Sequence, residues 1–151
     1  MNTQFDKAKP VEIHMNLNQH QNTFTVIERP IVLKFQKENL TNILKRFQNI
    51  QLITSEKRSE FSGEFPIHTR YFSNGDRPLV ALVKHSGTAR LRYGIEAEDI
   101  VIPDQNFVFF DDSVPHSWVF NKCNLEIYYY RLTDTEHPAP TTGDYCLDNY
   151  F

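Results

Sequence analysis

Apolar and polar residues alternate along most of the second half of the chain, and the alternation breaks repeatedly at turn-forming residues. From residue 65 this predicts a run of short antiparallel strands at 65–72, 79–85, 88–93, 100–103, 107–110, 116–120 and 125–132. Asn74-Gly75, within "SNGD", is a hairpin signal, and Ser86-Gly87 and "NKCN" (121–124) read as further turns. Many short strands spaced by turns predict a β-barrel or jelly roll. The loop "DDSVP" (111–115) lies between two of them, inside the segment "FFDDSVPHSW".

The first half reads differently. Residues 23–35 predict one or two short strands interrupted at Pro30, which cannot donate to a ladder. Leu40, Ile43, Leu44, Phe47 and Ile50 recur at helical spacing, which predicts a helix near 37–50 packed outside the sheet. Residues 53–64, "ITSEKRSEFSGE", are polar and read as a surface connection. Residues 1–22 form a polar arm, with a short strand at 11–15 as its one regular element. Residues 133–151 form a polar tail that ends in aromatics, so the domain proper is 23–132.

Composition narrows the class. The chain has 151 residues, 40% hydrophobic, with 12 Phe and 7 Tyr, enough for one domain with a real core. The net charge of −3 and the lack of a Lys/Arg cluster argue against nucleic acid as a partner. No apolar run has signal or membrane-spanning length, so a cytoplasmic protein with no membrane partner is expected. Cys123 and Cys146 make no disulfide framework and show no catalytic context. His14 and His20, six apart in the polar arm, make no metal pattern.

Strand alternation sorts the chemistry-bearing side chains by face. His68, Arg70 and Phe72 share one, and Leu79, Ala81, Val83 and His85 another. Arg90 and Arg92 oppose Ala89, Leu91 and Tyr93, and His116 lines up with Trp118 and Phe120. Glu126, Tyr128 and Tyr130 oppose Leu125, Ile127, Tyr129 and Arg131, so the last strand is covered on both sides or lines a pocket. His116, with His85 or His68 and Glu126, is a candidate ligand set for a divalent metal. Arg70, Arg92 and Arg131 are candidates to hold a ligand carboxylate, which a guanidinium can grip with two parallel hydrogen bonds. Asp111 is a candidate acid/base or an orienter of His116, although Asp and Ser in such a loop commonly bond their own turn amides. Asp112 shares both readings.

The residues His85-Ser86-Gly87, Leu91-Arg92, Phe110-Asp111-Asp112-Ser113 and His116 resemble the aspartyl/asparaginyl β-hydroxylase family. The closing "YYYRLTDTEHP" (128–138), with His137-Pro138, is similar to that family's last strand, so the resemblance covers roughly 85–138. It implies a double-stranded β-helix of the jelly-roll or cupin-like kind, mainly β with one packed N-terminal helix. It also implies Fe(II) and 2-oxoglutarate as cofactors, with His116 as the distal iron ligand. The family's other iron histidine would fall on Gly94, and its 2-oxoglutarate arginine on Glu126. A shifted register places these roles on His68 or His85 and on Arg70, Arg92 or Arg131. Pro115, His116 and Asn121 also resemble the second motif of the wider cupin superfamily, whose first motif is absent.

Three functions follow as expectations. The first is a small Fe(II)/2-oxoglutarate-dependent hydroxylase (an oxidoreductase) acting on a small molecule or a peptide side chain. The second is a cupin-type isomerase, lyase or dioxygenase that needs no cosubstrate and uses iron or another divalent metal. The third is a non-catalytic, degenerate barrel for ligand binding or assembly, including a homo-oligomer.

Overall fold

The computed structural model describes residues 27–73, 75–94 and 98–133. Its elements are β1 (Ile31–Lys34), α1 (Lys37–Leu44), β2 (Ile50–His68), β3 (Arg77–Tyr93), β4 (Glu98–Val101), β5 (Asn106–Asp111) and β6 (His116–Leu132). All pairings are antiparallel, in the order β1-β5-β3-β6-β2, with β4 also on β3. Among the described residues the protein is mainly β with one helix and has a jelly-roll-like strand order. β1 and β2 stand at opposite ends of that order, and no pairing among the described residues joins them into a closed barrel. No helix among these residues is long and apolar enough to cross a membrane.

Three strands are far longer than alternation predicts: β2 has 19 residues, and β3 and β6 have 17 each. Each bends at the same level of the sheet. Glu60 (φ 50°), Gly87 (φ 95°) and Lys122 (φ 52°) take left-handed backbone, and the register shifts beside them. The bends divide the sheet into two half-sheets. The first joins β1, β5, residues 77–84 of β3, 125–132 of β6 and 50–58 of β2. The second joins β4, residues 88–93 of β3, 116–121 of β6 and 61–68 of β2.

The half-sheets enclose an inner core built from Val80, Leu82, Phe110 and Ile127 on one side and Leu91, Trp118 and Phe120 on the other. The far face of the first half-sheet carries Leu79, Ala81, Val83, Phe107 and Phe109 against Ile43 and Leu40 of α1. The first half-sheet is therefore covered twice, and this is why 79–83 is buried without a break. It also accounts for the two aromatic faces of 125–132.

The turn signals have a different physical meaning from the expected one. Ser86-Gly87 and "NKCN" do not end strands; they bend β3 and β6 at the corner. A Cβ on Gly87 would lie 2.4 Å from the Lys122 carbonyl oxygen, so the corner needs glycine both for its backbone and for the close approach. Side chains stitch the corner: Lys84 Nζ donates to Gly87 O (2.6 Å) and Asn124 Nδ2 to Ser86 Oγ (2.7 Å). The strands flanking the expected hairpin at 73–76 do not pair with each other, because β2 pairs with β6 and not with β3. The expected connection 53–64 is strand, an edge whose polar side chains face solvent and so read like a loop. The helix ends at Leu44 rather than 50, yet Phe47 and Ile50 keep facing the sheet through tight turns (Arg46 N to Ile43 O, 3.0 Å; Phe47 N to Leu44 O, 3.1 Å). The arm 1–22 with its strand at 11–15, His14 and His20, and the tail with His137-Pro138 and Cys146 lie outside the described residues.

Candidate functional site

The half-sheets open away from the corner, and the loop 112–115 spans that mouth from the end of β5 to the start of β6. Its backbone is fixed from three directions. Asp112 N donates to Pro78 O (2.8 Å), Arg70 N donates to Asp112 O (2.9 Å), and Gly94 N donates to Pro115 O (2.9 Å). The buried Tyr93 hydroxyl accepts from Asp111 N (3.1 Å) and donates to Ile27 O (2.9 Å). Burial pushes that phenol well above its ordinary pKa.

Four polar side chains meet here. His116 is buried; its Nδ1 lies 2.6 Å from Val114 O and its Nε2 3.1 Å from Asp112 Oδ1. The other Asp112 oxygen faces Arg70 Nε at 4.0 Å, and both side chains are buried. The His68 ring lies 4.5 Å from the His116 ring, centre to centre, and its Nδ1 is 2.7 Å from Pro66 O. A carbonyl can only accept, so each Nδ1 carries a proton and each histidine presents Nε2 to the interior. Burial, then the neighbouring His116, lowers the His68 pKa, which keeps that ring neutral near pH 7.

The cluster has apolar and phenolic walls. Phe110 touches both His116 (5.3 Å) and Trp118 (5.9 Å). Trp118 Nε1 is buried and has no hydrogen-bond partner among the described residues. Tyr129 donates to Glu56 Oε2 (2.6 Å), and burial followed by that carboxylate raises its pKa far above the usual phenol range.

The structure brings His68, Arg70 and His116 together and holds the other candidates elsewhere. Asp111 ends β5 beside the loop, but its Oδ1 accepts from Ser113 N (2.9 Å) and Ser113 Oγ (2.6 Å), and its Oδ2 faces Arg77 (3.9 Å). The carboxylate beside His116 is that of Asp112, one residue further on. His85 and Glu126 pair with each other (2.6 Å) on the helix-side face near the corner. Arg131 is held by Asp76 (2.6 Å) over the Phe72 ring, and Arg92 is exposed on the outer face of the second half-sheet. Sequence reasoning did not bring in Glu56, because it lies in the stretch read as a connection, and it left Tyr129 among the core residues. Among the described residues, no three His, Cys, Asp or Glu side chains form a ready-made cation site.

The chain matches no protein-family model and no curated protein. Among solved structures it is similar to a viral collagen prolyl hydroxylase from Paramecium Bursaria Chlorella virus-1 in complex with 2OG, at TM-score 0.49 and 9% identity over 83% of this chain and 91% of that one. It is similar to a DUF861 family protein from Thermotoga maritima at TM-score 0.39 and 11% identity, over 69% and 99% respectively. An RmlC-like cupin protein from Desulfovibrio desulfuricans gives TM-score 0.36 and 15% identity, over 73% and 96%. Strand order and register, not these distant overlaps, carry the description of the fold.

Proposed function

We propose that the chain is a metal-dependent enzyme of the cupin-like kind acting on a small molecule or peptide side chain, with His68, His116 and Asp112 as the residues that would hold a divalent cation. One observation carries this reading: two imidazoles and a carboxylate are gathered with Arg70 in the interior, where apolar side chains of similar volume would commonly be at least as stable.

The donor types suit the group, although as placed no three His, Cys, Asp or Glu side chains among the described residues form a cation site. Two imidazoles and a carboxylate suit Fe(II), and other divalent metals bind the same atoms. Two ligands at about 2.1 Å and roughly 90° on one ion stand about 3.0 Å apart, close to the 3.1 Å between His116 Nε2 and Asp112 Oδ1. Both histidines have Nδ1 anchored on a backbone carbonyl two residues earlier, the kind of bond that orients a metal-binding ring. A bound cation would supply Lewis-acid or redox chemistry to an oxygen-bearing ligand. The chain's own contribution is to hold the two rings, keep His68 neutral, and exclude water with Phe110 and Trp118. The unpartnered Trp118 Nε1–H also favours a ligand with an acceptor atom.

The residues fit 2-oxoglutarate less well. Arg70 faces Asp112, Arg131 is bound to Asp76, and Arg92 lies on the outer face, so each of the three arginine candidates is engaged or turned elsewhere. The isomerase, lyase or cosubstrate-free dioxygenase form is the better supported. One observation favours a non-catalytic barrel: a protonated His116 would satisfy both Val114 O and Asp112 with no cation at all.

Metal analysis of the purified protein, followed by anaerobic titration with Fe(II), Mn(II) and Zn(II), tests the proposal. One equivalent should bind, and His116→Ala or His68→Ala should abolish it. If the wild type carries no metal and takes up none at micromolar concentration, both enzyme readings fail and the non-catalytic barrel stands. Turnover of 2-oxoglutarate by the loaded protein would restore the hydroxylase form.

A further inference from the structure

Among the described residues the first half-sheet is covered on both faces, whereas the second is covered only on its inner one. Register sets Glu64 of β2, Val119 of β6, Arg90 of β3 and Val101 of β4 in one row across that outer face. Val119 is 44% exposed and Val101 57%. The next row holds Ser117, Arg92 and Asp99. Across the first row the face is therefore striped, negative on β2, apolar on β6, positive on β3 and apolar on β4, while Ser117 and Asp99 break the pattern in the next. On the far side of β3, Arg90 also lies 3.8 Å from Asp99, in a solvent-exposed pair.

Such stripes are complementary to themselves. A half-turn about an axis along β6, in the plane between two stacked sheets, sets Val119 on Val119. It also lays each copy's Glu64 over the other's Arg90, twice per dimer. We propose that this face is the contact between two copies of this chain, packed sheet against sheet. Isologous contacts of this type are the commonest in soluble oligomers, and stacked sheets about 10 Å apart leave room for one layer of side chains from each. Charge complementarity favours a second copy here over strand addition at the edge of β2 that no strand among the described residues pairs, where Glu56, Lys57, Arg58 and Glu60 crowd the edge. The proposal is independent of the metal reading.

Light scattering or sedimentation over micromolar to hundreds of micromolar protein is the test. The wild type should pass from one chain's mass to two. Glu64→Arg and Arg90→Glu should each weaken the dimer about tenfold or more, by setting like charges face to face, and the double exchange should restore it. Val119→Lys should weaken it independently. At dilutions where the wild type is one chain, circular dichroism and melting should stay close to wild type in all four variants, since these side chains are exposed. A wild type that keeps one chain's mass throughout overturns the proposal, as does a dimer indifferent to both single reversals and to Val119→Lys. Rescue by the double exchange separates a true contact from damage to the fold.

Discussion

Among the described residues, two histidine–carboxylate pairs of similar chemistry stand in different surroundings. His85 and Glu126, 2.6 Å apart, sit near the corner with 31% and 21% of their side chains exposed. Each is completed by neighbours: Glu126 also accepts from Tyr128 (2.6 Å), and Gln105 lies beside His85 Nδ1 (3.4 Å). Accepting the phenolic proton stabilises Glu126 as the anion and pushes Tyr128 up to about 12. His116 and Asp112, 3.1 Å apart at the mouth, have no exposed surface and share their space with a second imidazole and a guanidinium. The shorter contact is thus the less consequential one. A half-exposed pair gains little because water competes for both partners, whereas a buried pair is costly to form and costlier to leave half made.

Removing one carboxylate from each pair gives the widest separation. Asp112→Ala removes the buried carboxylate that both His116 Nε2 and Arg70 Nε face. The expected loss is about 3–5 kcal/mol, read from the shift of a urea unfolding curve at unchanged slope. A loss below about 1 kcal/mol would mean that Asp112 is screened as a surface group is, and the contrast between the two pairs would disappear.

The corner next to His85 offers the second-largest effect. Gly87→Ala combines a left-handed backbone with a Cβ placed 2.4 Å from Lys122 O. It should cost about 1–3 kcal/mol and speed amide exchange near His85 more than at the mouth; a neutral substitution would show that the bend needs no glycine.

The same corner shows what was readable in the sequence. Alternation sorted the faces well: Ala89 and Leu91 point inward while Arg90 and Arg92 are exposed, and the two aromatic faces of 125–132 meet two different cores. Turn chemistry at Ser86-Gly87 and 121–124 was also real. Sequence cannot distinguish a chain that reverses from a strand that bends, because both call for left-handed backbone and polar side chains. The edge strand 53–64 was hidden because solvent removes the apolar half of its pattern. The site was half legible: His116 and His68 stood on faces that alternation identified. Of the two adjacent aspartates named, Asp111 was preferred as the orienter and Asp112 takes that place, because which of them turns toward β6 depends on the tertiary bonds from Pro78, Arg70 and Gly94.

Acid should separate the pairs by pH window. The folded pKa of His68 is lowered, so between that value and about 6.5 the unfolded chain binds the extra proton. Stability from this group is whole above about pH 6.5 and declines as pH falls through the folded value. Glu126 is lowered from the ordinary glutamate value, so its contribution is whole at neutral pH and declines only through the carboxylate range. Melting temperature should therefore begin to fall near pH 6 in the wild type, and later in His68→Gln. Identical profiles would show that His68 does not stay neutral in the folded protein.

Glu126→Gln is the smallest change and the closest test of the comparison. The amide keeps the size of the side chain and can still accept from Tyr128, so only the charge opposite His85 is removed. With a fifth of the glutamate side chain and nearly a third of the histidine exposed, solvent screens that charge, and the loss should stay below about 1 kcal/mol at neutral pH. A double-mutant cycle with His85→Asn should return a coupling of the same small size. The Tyr128 phenol should titrate closer to its ordinary value once the anion beside it is gone, by ultraviolet difference spectroscopy. A loss of more than about 2 kcal/mol would instead place this pair in the same class as His116 and Asp112, and burial would no longer explain why the histidines at the mouth differ from the one at the corner.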